Sequence, residues 1–232
     1  NFSNDVFVVK YNASGNVVWA KNFGGSAQEV SYAICTDVNG NSYITGVYAS
    51  PTLTVGNTTL TNVGAYDFFV AKLNPDGTIA WIKGAGSLDS DQGTSITVDA
   101  NGNAYVTGSY YGSSISFGNI TLTNPASSNN VFIVKYDPLG NVMWAKDAGS
   151  IADDVGTGIS SNSNGSIYVT GYFVSDTISF GSFKLINEST ARDIFIARYD
   201  ASGNVQWAKR AGGSSDDFGY AIATDANDQS YL

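Results

Sequence analysis

An all-β fold made of repeated four-stranded antiparallel sheets is predicted by three features of the sequence. The four tryptophans, Trp19, Trp81, Trp144 and Trp207, recur at intervals of 62, 63 and 63 residues. The segments around them recur as well: VFVVKYNASGNVVWAKNFGG (6–25), FFVAKLNPDGTIAWIKGAGS (68–87), VFIVKYDPLGNVMWAKDAGS (131–150) and IFIARYDASGNVQWAKRAGG (194–213). No 3.6-residue apolar period is sustained, and glycine is frequent (26) while proline is rare (4). Such a chain is an array of one supersecondary unit, and most of its apparent motifs are copies of a structural element.

Residues 131–192 illustrate the unit. VFIVKYD is continuously apolar from Val131 to Val134 and reads as a strand buried on both faces. The turn DPLGN follows, with glycine where positive φ is expected, and NVMWAKDAG returns as the second strand of a hairpin. A short acidic link leads to TGISSN, the turn NSNGS and then SIYVTGYF. The last segment, ISFGSFKLIN (178–187), matches LTVGNTTLTN (53–62) and ISFGNITLTN (115–124), and predicts an extra hairpin turning at Gly56, Gly118 and Gly181. Four main strands with apolar residues on both faces predict sheets packed face to face around an axis, a β-propeller; a stacked β-solenoid is the alternative.

Composition excludes several classes. Net charge is −9, and eight of the 11 basic residues sit at two repeat-locked positions: Lys10, Lys72, Lys135, Arg198, and Lys21, Lys83, Lys146, Lys209. No basic patch for nucleic acid is formed. The longest apolar runs are four residues, far short of the ~20 needed for a membrane-spanning helix. With no histidine, a Ser-His-Asp or Cys-His arrangement cannot be built from this sequence, and one cysteine cannot form a thiolate cage. Cys35 occupies a slot taken by Thr97, Ser160 and Ala223, and reads as an inert space-filling thiol. The sequence starts and stops inside a repeat without an initiating Met, which reads as a segment of a longer protein.

The pattern D-I/V-F-x-V/A-K/R-Y-D-x-x-G-N-V-x-W-A-K, followed by G-G-S-x-x-D-D and D-x-N-G-N-x-Y-V-T-G, resembles the bacterial β-propeller repeat of secreted and surface proteins. With its FG-x-x-x-L insertion it is similar to repeats of Bacteroidota exported proteins. The resemblance covers nearly the whole chain. It implies a propeller and an extracellular or cell-surface setting, and brings no catalytic residues. The expected organisation is a single array over 1–232, with a half blade at 1–26, blades at 27–88, 89–151 and 152–213, and a half blade at 214–232. The remaining blades of the parent chain, or a second copy, would complete it.

Three sets of residues are candidates for chemistry. Glu29, Asp91, Asp154 and Asp217 each follow their tryptophan by ten residues; one acid per unit predicts acceptors for backbone N–H groups in the link, or partners of a repeat-locked lysine. Asp37, Asn39, Asn41 and Asp99, Asn101, Asn103 alternate like a calcium loop, but no bidentate acid follows and Asn-Gly is a strong turn signal, so turn chemistry is expected. Repeat-locked aromatics (Tyr43, Tyr105, Tyr168, Tyr231, Tyr48, Tyr110, Phe173 and the tryptophans) are expected to pack between sheets. Tyr66, Tyr111 and Tyr172 stand at less regular positions and are the ligand-binding candidates. No cofactor is expected. The function expected is a noncatalytic extracellular scaffold or adhesion module that presents loops to a protein or glycan. A lectin-like module with one weak site per blade and an accessory domain of a secreted hydrolase are the alternatives.

Overall fold

The computed structural model describes residues 4–126 and 128–232, and these contain strands and turns but no helix. β1 (Val6–Tyr11) and β2 (Val17–Phe23) pair as a two-stranded sheet. β3 (Glu29–Thr36), β4 (Ser42–Tyr48), β7 (Asp67–Leu73) and β8 (Ile79–Ala85) form the first four-stranded sheet in that order. β5 (Thr52–Val55) and β6 (Thr58–Thr61) form a separate hairpin between β4 and β7.

The second unit repeats this plan. β9 (Asp91–Val98), β10 (Ala104–Tyr111), β13 (Asn129–Tyr136) and β14 (Val142–Ala148) make its sheet, with the hairpin β11 (Ser114–Phe117) and β12 (Ile120–Thr123). The third comprises β15 (Asp154–Ser161), β16 (Ile167–Phe173), β19 (Asp193–Tyr199) and β20 (Val205–Ala211), with β17 (Thr177–Phe180) and β18 (Phe183–Ile186). β21 (Ala223–Thr224) and β22 (Ser230–Tyr231) pair at the C-terminal end. Every ladder is antiparallel, so the units are blades of the propeller type and not parallel solenoid coils.

The inner strand β9 packs between β3 and β15, and the tryptophan strands β2, β8, β14 and β20 lie at the far edge of each sheet. The middle strands are apolar on both faces because a neighbouring sheet lies on each side. All of β4 is buried, as is all but the last residue of β10. Phe68 of the first sheet meets Phe132 of the second at 5.3 Å, and Phe117 of the second hairpin touches both, at 5.9 and 5.1 Å. Each added hairpin therefore plugs the outer end of a joint, β11 packing against β8 and β12 against β14. The turns of these hairpins take positive φ at Gly56 (60°), Gly118 (59°) and Gly181 (57°).

Candidate functional site

The repeat-locked residues assemble into two rows, one at each end of every sheet. Strand register puts Cys35, Tyr43, Lys72 and Trp81 side by side across the first sheet. Thr97, Tyr105, Lys135 and Trp144 form the same row in the second, and Ser160, Tyr168, Arg198 and Trp207 in the third. These rows reach across the joint to the turns of the next unit. The Trp81 indole N–H donates to the Pro138 carbonyl (3.1 Å), and the Lys72 ammonium donates to the same oxygen (3.3 Å). Trp144 (3.2 Å) and Lys135 (2.9 Å) do the same to Ala201, and Trp19 (2.9 Å) and Lys10 (3.1 Å) to Pro75. The tyrosine hydroxyls approach the second turn, Tyr43 lying 3.3 Å from the Gly102 carbonyl and Tyr105 3.3 Å from that of Gly165, while their single protons go to the nearer Asp37 and Asp99 carboxylates.

Close approach of turn and indole explains the glycine in the turn. At Gly140 φ is +80°, and a Cβ would lie 2.8 Å from the Trp81 ring. Lys72 and Lys135 also lie over the rings of Tyr43 (5.2 Å) and Tyr105 (5.1 Å). The lysines of this row are thus joint residues and do not pair with the acids. In the last turn Asp228 stands where the others have glycine and takes φ 65°, a conformation that a short polar side chain tolerates. Its carboxylate pairs with Arg198 at 2.7 Å, and its carbonyl accepts from Tyr168 at 2.9 Å.

The second row lies at the link end: Glu29, Tyr48 and Asp67; Asp91, Tyr110 and Asn130; Asp154, Phe173 and Asp193. Glu29, Asp91 and Asp154 are fully buried and accept backbone N–H bonds from Gly25 (2.7 Å), Ser87 (2.5 Å) and Ser150 (3.0 Å). Asp217 accepts from Gly213 at 3.0 Å. Burial pushes the Asp91 carboxyl up to about 7 and that of Asp154 up to about 6, opposed by their serine hydrogen bonds.

The set Asp5, Asp67, Asn130 and Asp193 was not singled out by sequence reasoning, although its recurrence just before each apolar strand was readable. Asp67, Asn130 and Asp193 are buried, each with one oxygen that has no hydrogen-bond partner.

The alternating acid and amide residues are placed as turns. The Asp37 carboxylate accepts from the Asn39 N–H (2.9 Å), the Asn41 N–H (3.0 Å), the Asn41 side chain (2.7 Å) and Tyr43 (3.1 Å). Burial alone would raise the Asp37 carboxyl, but together those bonds hold it below its ordinary range. Asp99, Asn101 and Asn103 repeat the arrangement with Tyr105. Both carboxylate oxygens of Asp37 and of Asp99 accept hydrogen bonds from their turns. Among the described residues no three His, Cys, Asp or Glu side chains gather as a metal cluster. Burial pushes the Cys35 thiol up to about 12, so it stays protonated and unreactive at neutral pH.

Tyr66 and Tyr111 flank one interblade link. Tyr66 bridges to Ser90 and donates to Gln28 (2.9 Å), while the Tyr111 N–H donates to the Ser90 carbonyl (3.2 Å). Tyr172 stands at the next-but-one joint, edge-on to Phe218 (5.1 Å) and under the Arg192 guanidinium (5.7 Å), which pairs with Asp216 at 3.0 Å. The three tyrosines therefore do not form one site. Leu88 and Ile151, at the tips of the links, are 84% and 77% exposed. At the outer edge, a groove of about 390 Å³ runs between Lys83, the Gly118–Asn119 hairpin turn and Gly140.

Comparison with known proteins agrees with this architecture. Residues 81–109, from one tryptophan strand through the following inner hairpin, match the family model described as "Beta-propeller repeat". An uncharacterized WD repeat-containing protein of Acanthamoeba polyphaga mimivirus is 24% identical over 92% of this chain and 19% of its own length. The regulatory protein FlaEY of Caulobacter vibrioides is 30% identical over 45% of this chain and 11% of its own length. The chain thus spans less than a fifth of the length of these relatives. A solved structure of a protein of unknown function from Bacteroides caccae covers 95% of this chain and 98% of its own, at 8% identity and a TM-score of 0.27, too distant to bear on the fold. The 62–63-residue unit is thus a blade of the β-propeller type, and its residues 81–109 are similar to the β-propeller repeat family.

Proposed function

We propose that the chain is a noncatalytic propeller module that presents the variable residues at its link ends to a protein or glycan outside the cell. One observation carries this reading: residues common to all units hold the joints, and residues that differ between units lie at the exposed links. Lys72 and Trp81 bond the next unit's turn, and Asp91 and Asp154 bond their own links. The links differ as SLDSD, SIADD and GSSDD, with exposed Leu88 and Ile151 at two tips. The extracellular setting rests on the resemblance of the repeat to those of secreted proteins. Among the described residues no helix is long and apolar enough to cross a membrane.

A glycan array and a protein-ligand screen, run on the chain and on Leu88→Ser, Ile151→Ser and Tyr66→Ala variants, test the proposal. Binding lost in link variants that keep the parent melting temperature is the result expected. Binding that survives all three variants would refute it. Binding lost only when equivalent aromatics of several units are replaced would support the lectin-like alternative, in which weak sites add through avidity.

A further inference from the structure

The three complete units act as natural variants of one another at the link end of the tryptophan strand. Gly84, Asp147 and Arg210 occupy equivalent places, opposite Phe69, Phe132 and Phe195. In the third unit the Arg210 guanidinium crosses diagonally to Asp193, Nη1 to Oδ2 at 2.8 Å, so a fully buried carboxylate has a cation. The residue beside that carboxylate is Phe173, which carries no hydroxyl. In the second unit the acid itself is replaced by the neutral Asn130.

The first unit keeps the acid and lacks the cation. Asp67 is 1% exposed, with Oδ1 unpartnered. Its Oδ2 accepts the Val63 N–H at 2.9 Å. The Tyr48 hydroxyl has a single proton and gives it to the Thr61 carbonyl at 3.1 Å, leaving only a 3.5 Å approach to Asp67. Burial accordingly raises the Asp67 carboxyl above its ordinary range. Where Arg210 stands in the third unit, Gly84 has no side chain, and a pocket of about 310 Å³ opens beside Asp67, walled by Leu60, Val63, Gly84 and Ser116.

We propose that this pocket binds a guanidinium group supplied from outside the chain. The planar fork of a guanidinium can engage a carboxylate and neighbouring acceptors together, and within the chain Arg210 bonds the equivalent carboxylate of Asp193 through Nη1. The group belongs either to a small guanidine or to an arginine side chain of a partner. The site does not depend on the reading of the chain as a loop-presenting module, and its failure would leave that reading standing.

Titration of the 232-residue chain with methylguanidinium, followed by amide NMR and calorimetry, tests the proposal. Saturable binding with shifts centred on the Val63, Gly84 and Gly86 amides is expected. Asp67→Asn, which mimics the second unit and is expected to fold, should weaken binding at least about tenfold. The double variant Gly84→Arg with Tyr48→Phe rebuilds the third unit's pair and should abolish binding while raising the melting temperature. Equal binding by the parent and Asp67→Asn, no saturation, or equal affinity for methylammonium would overturn the proposal. Binding of both methylguanidinium and acetyl-arginine amide would identify a peptide arginine as a source; binding of methylguanidinium alone would identify a small guanidine.

Discussion

The carboxylates of this chain divide by environment, and the division sets how stability responds to pH. Asp91 and Asp154 are buried, with their carboxyls raised to about 7 and about 6. A raised acid holds its proton more tightly folded than unfolded. Its contribution to stability is therefore complete below the unfolded value of 3.8 and is lost as pH rises through 6 to 7. The turn acids Asp37, Asp137 and Asp200 lie below their ordinary values, held by amide hydrogen bonds, and act in the opposite sense. Their contribution is present above 3.8 and is lost as pH falls through their lowered values. The chain should accordingly melt higher near pH 5 than at pH 7.5. Asp91→Asn should flatten that slope, as calorimetry at several pH values would show; an unchanged slope would mean that Asp91 does not titrate in this window.

At the scale of the element, one contact repeats at the joints beside the aromatic packing: an indole and a lysine ammonium bonded to one turn, with a tyrosine hydroxyl against the other. Trp144 is 8% exposed, between Tyr105 (6.0 Å) and Tyr199 (6.4 Å), and bonds Ala201. Trp207 is half-buried and, among the described residues, meets the Tyr168 ring alone (5.9 Å). Trp144→Ala should therefore destabilise by about 3 kcal/mol or more, the usual cost of emptying a large aromatic site. Trp207→Ala should cost much less. Thermal melts of the two variants check this, and equal losses would show that the turn contact adds nothing to the indole's packing. Gly140 belongs to the same contact, since any side chain there meets the Trp81 ring and adopts an unfavourable φ.

For the whole molecule, the main contacts of each described sheet are with its neighbours, so stability follows position in the array. The sheet of β9, β10, β13 and β14 is covered on both sides, whereas the β1–β2 pair exposes Phe7 (74%) and Tyr11 (60%), and the β21–β22 pair exposes Tyr231 (57%). Amide exchange should be slowest in the central sheet and fastest in the two terminal pairs. Uniform protection from end to end would show that the array opens only as one unit.

The repeat alone determined the blade plan. Periodic tryptophans, strand-length apolar segments and glycine turns are local signals, and the all-β architecture with its extra hairpin follows from them. The Asn-Gly turns and the one acid per unit were also legible as local patterns, and in the structure Asp37 and Asp91 accept backbone N–H bonds there. What lysine does was not: Lys72 bonds the Pro138 carbonyl, 66 residues away, and neither acid set takes it as a partner. The row of Asp67, Asn130 and Asp193 likewise acquired meaning only through register, which sets these residues diagonally across from Gly84, Asp147 and Arg210 respectively. Periodicity reports what all copies share. The place where one copy lacks its neighbour's cation depends on which side chains meet across strands, and only the tertiary structure decides that.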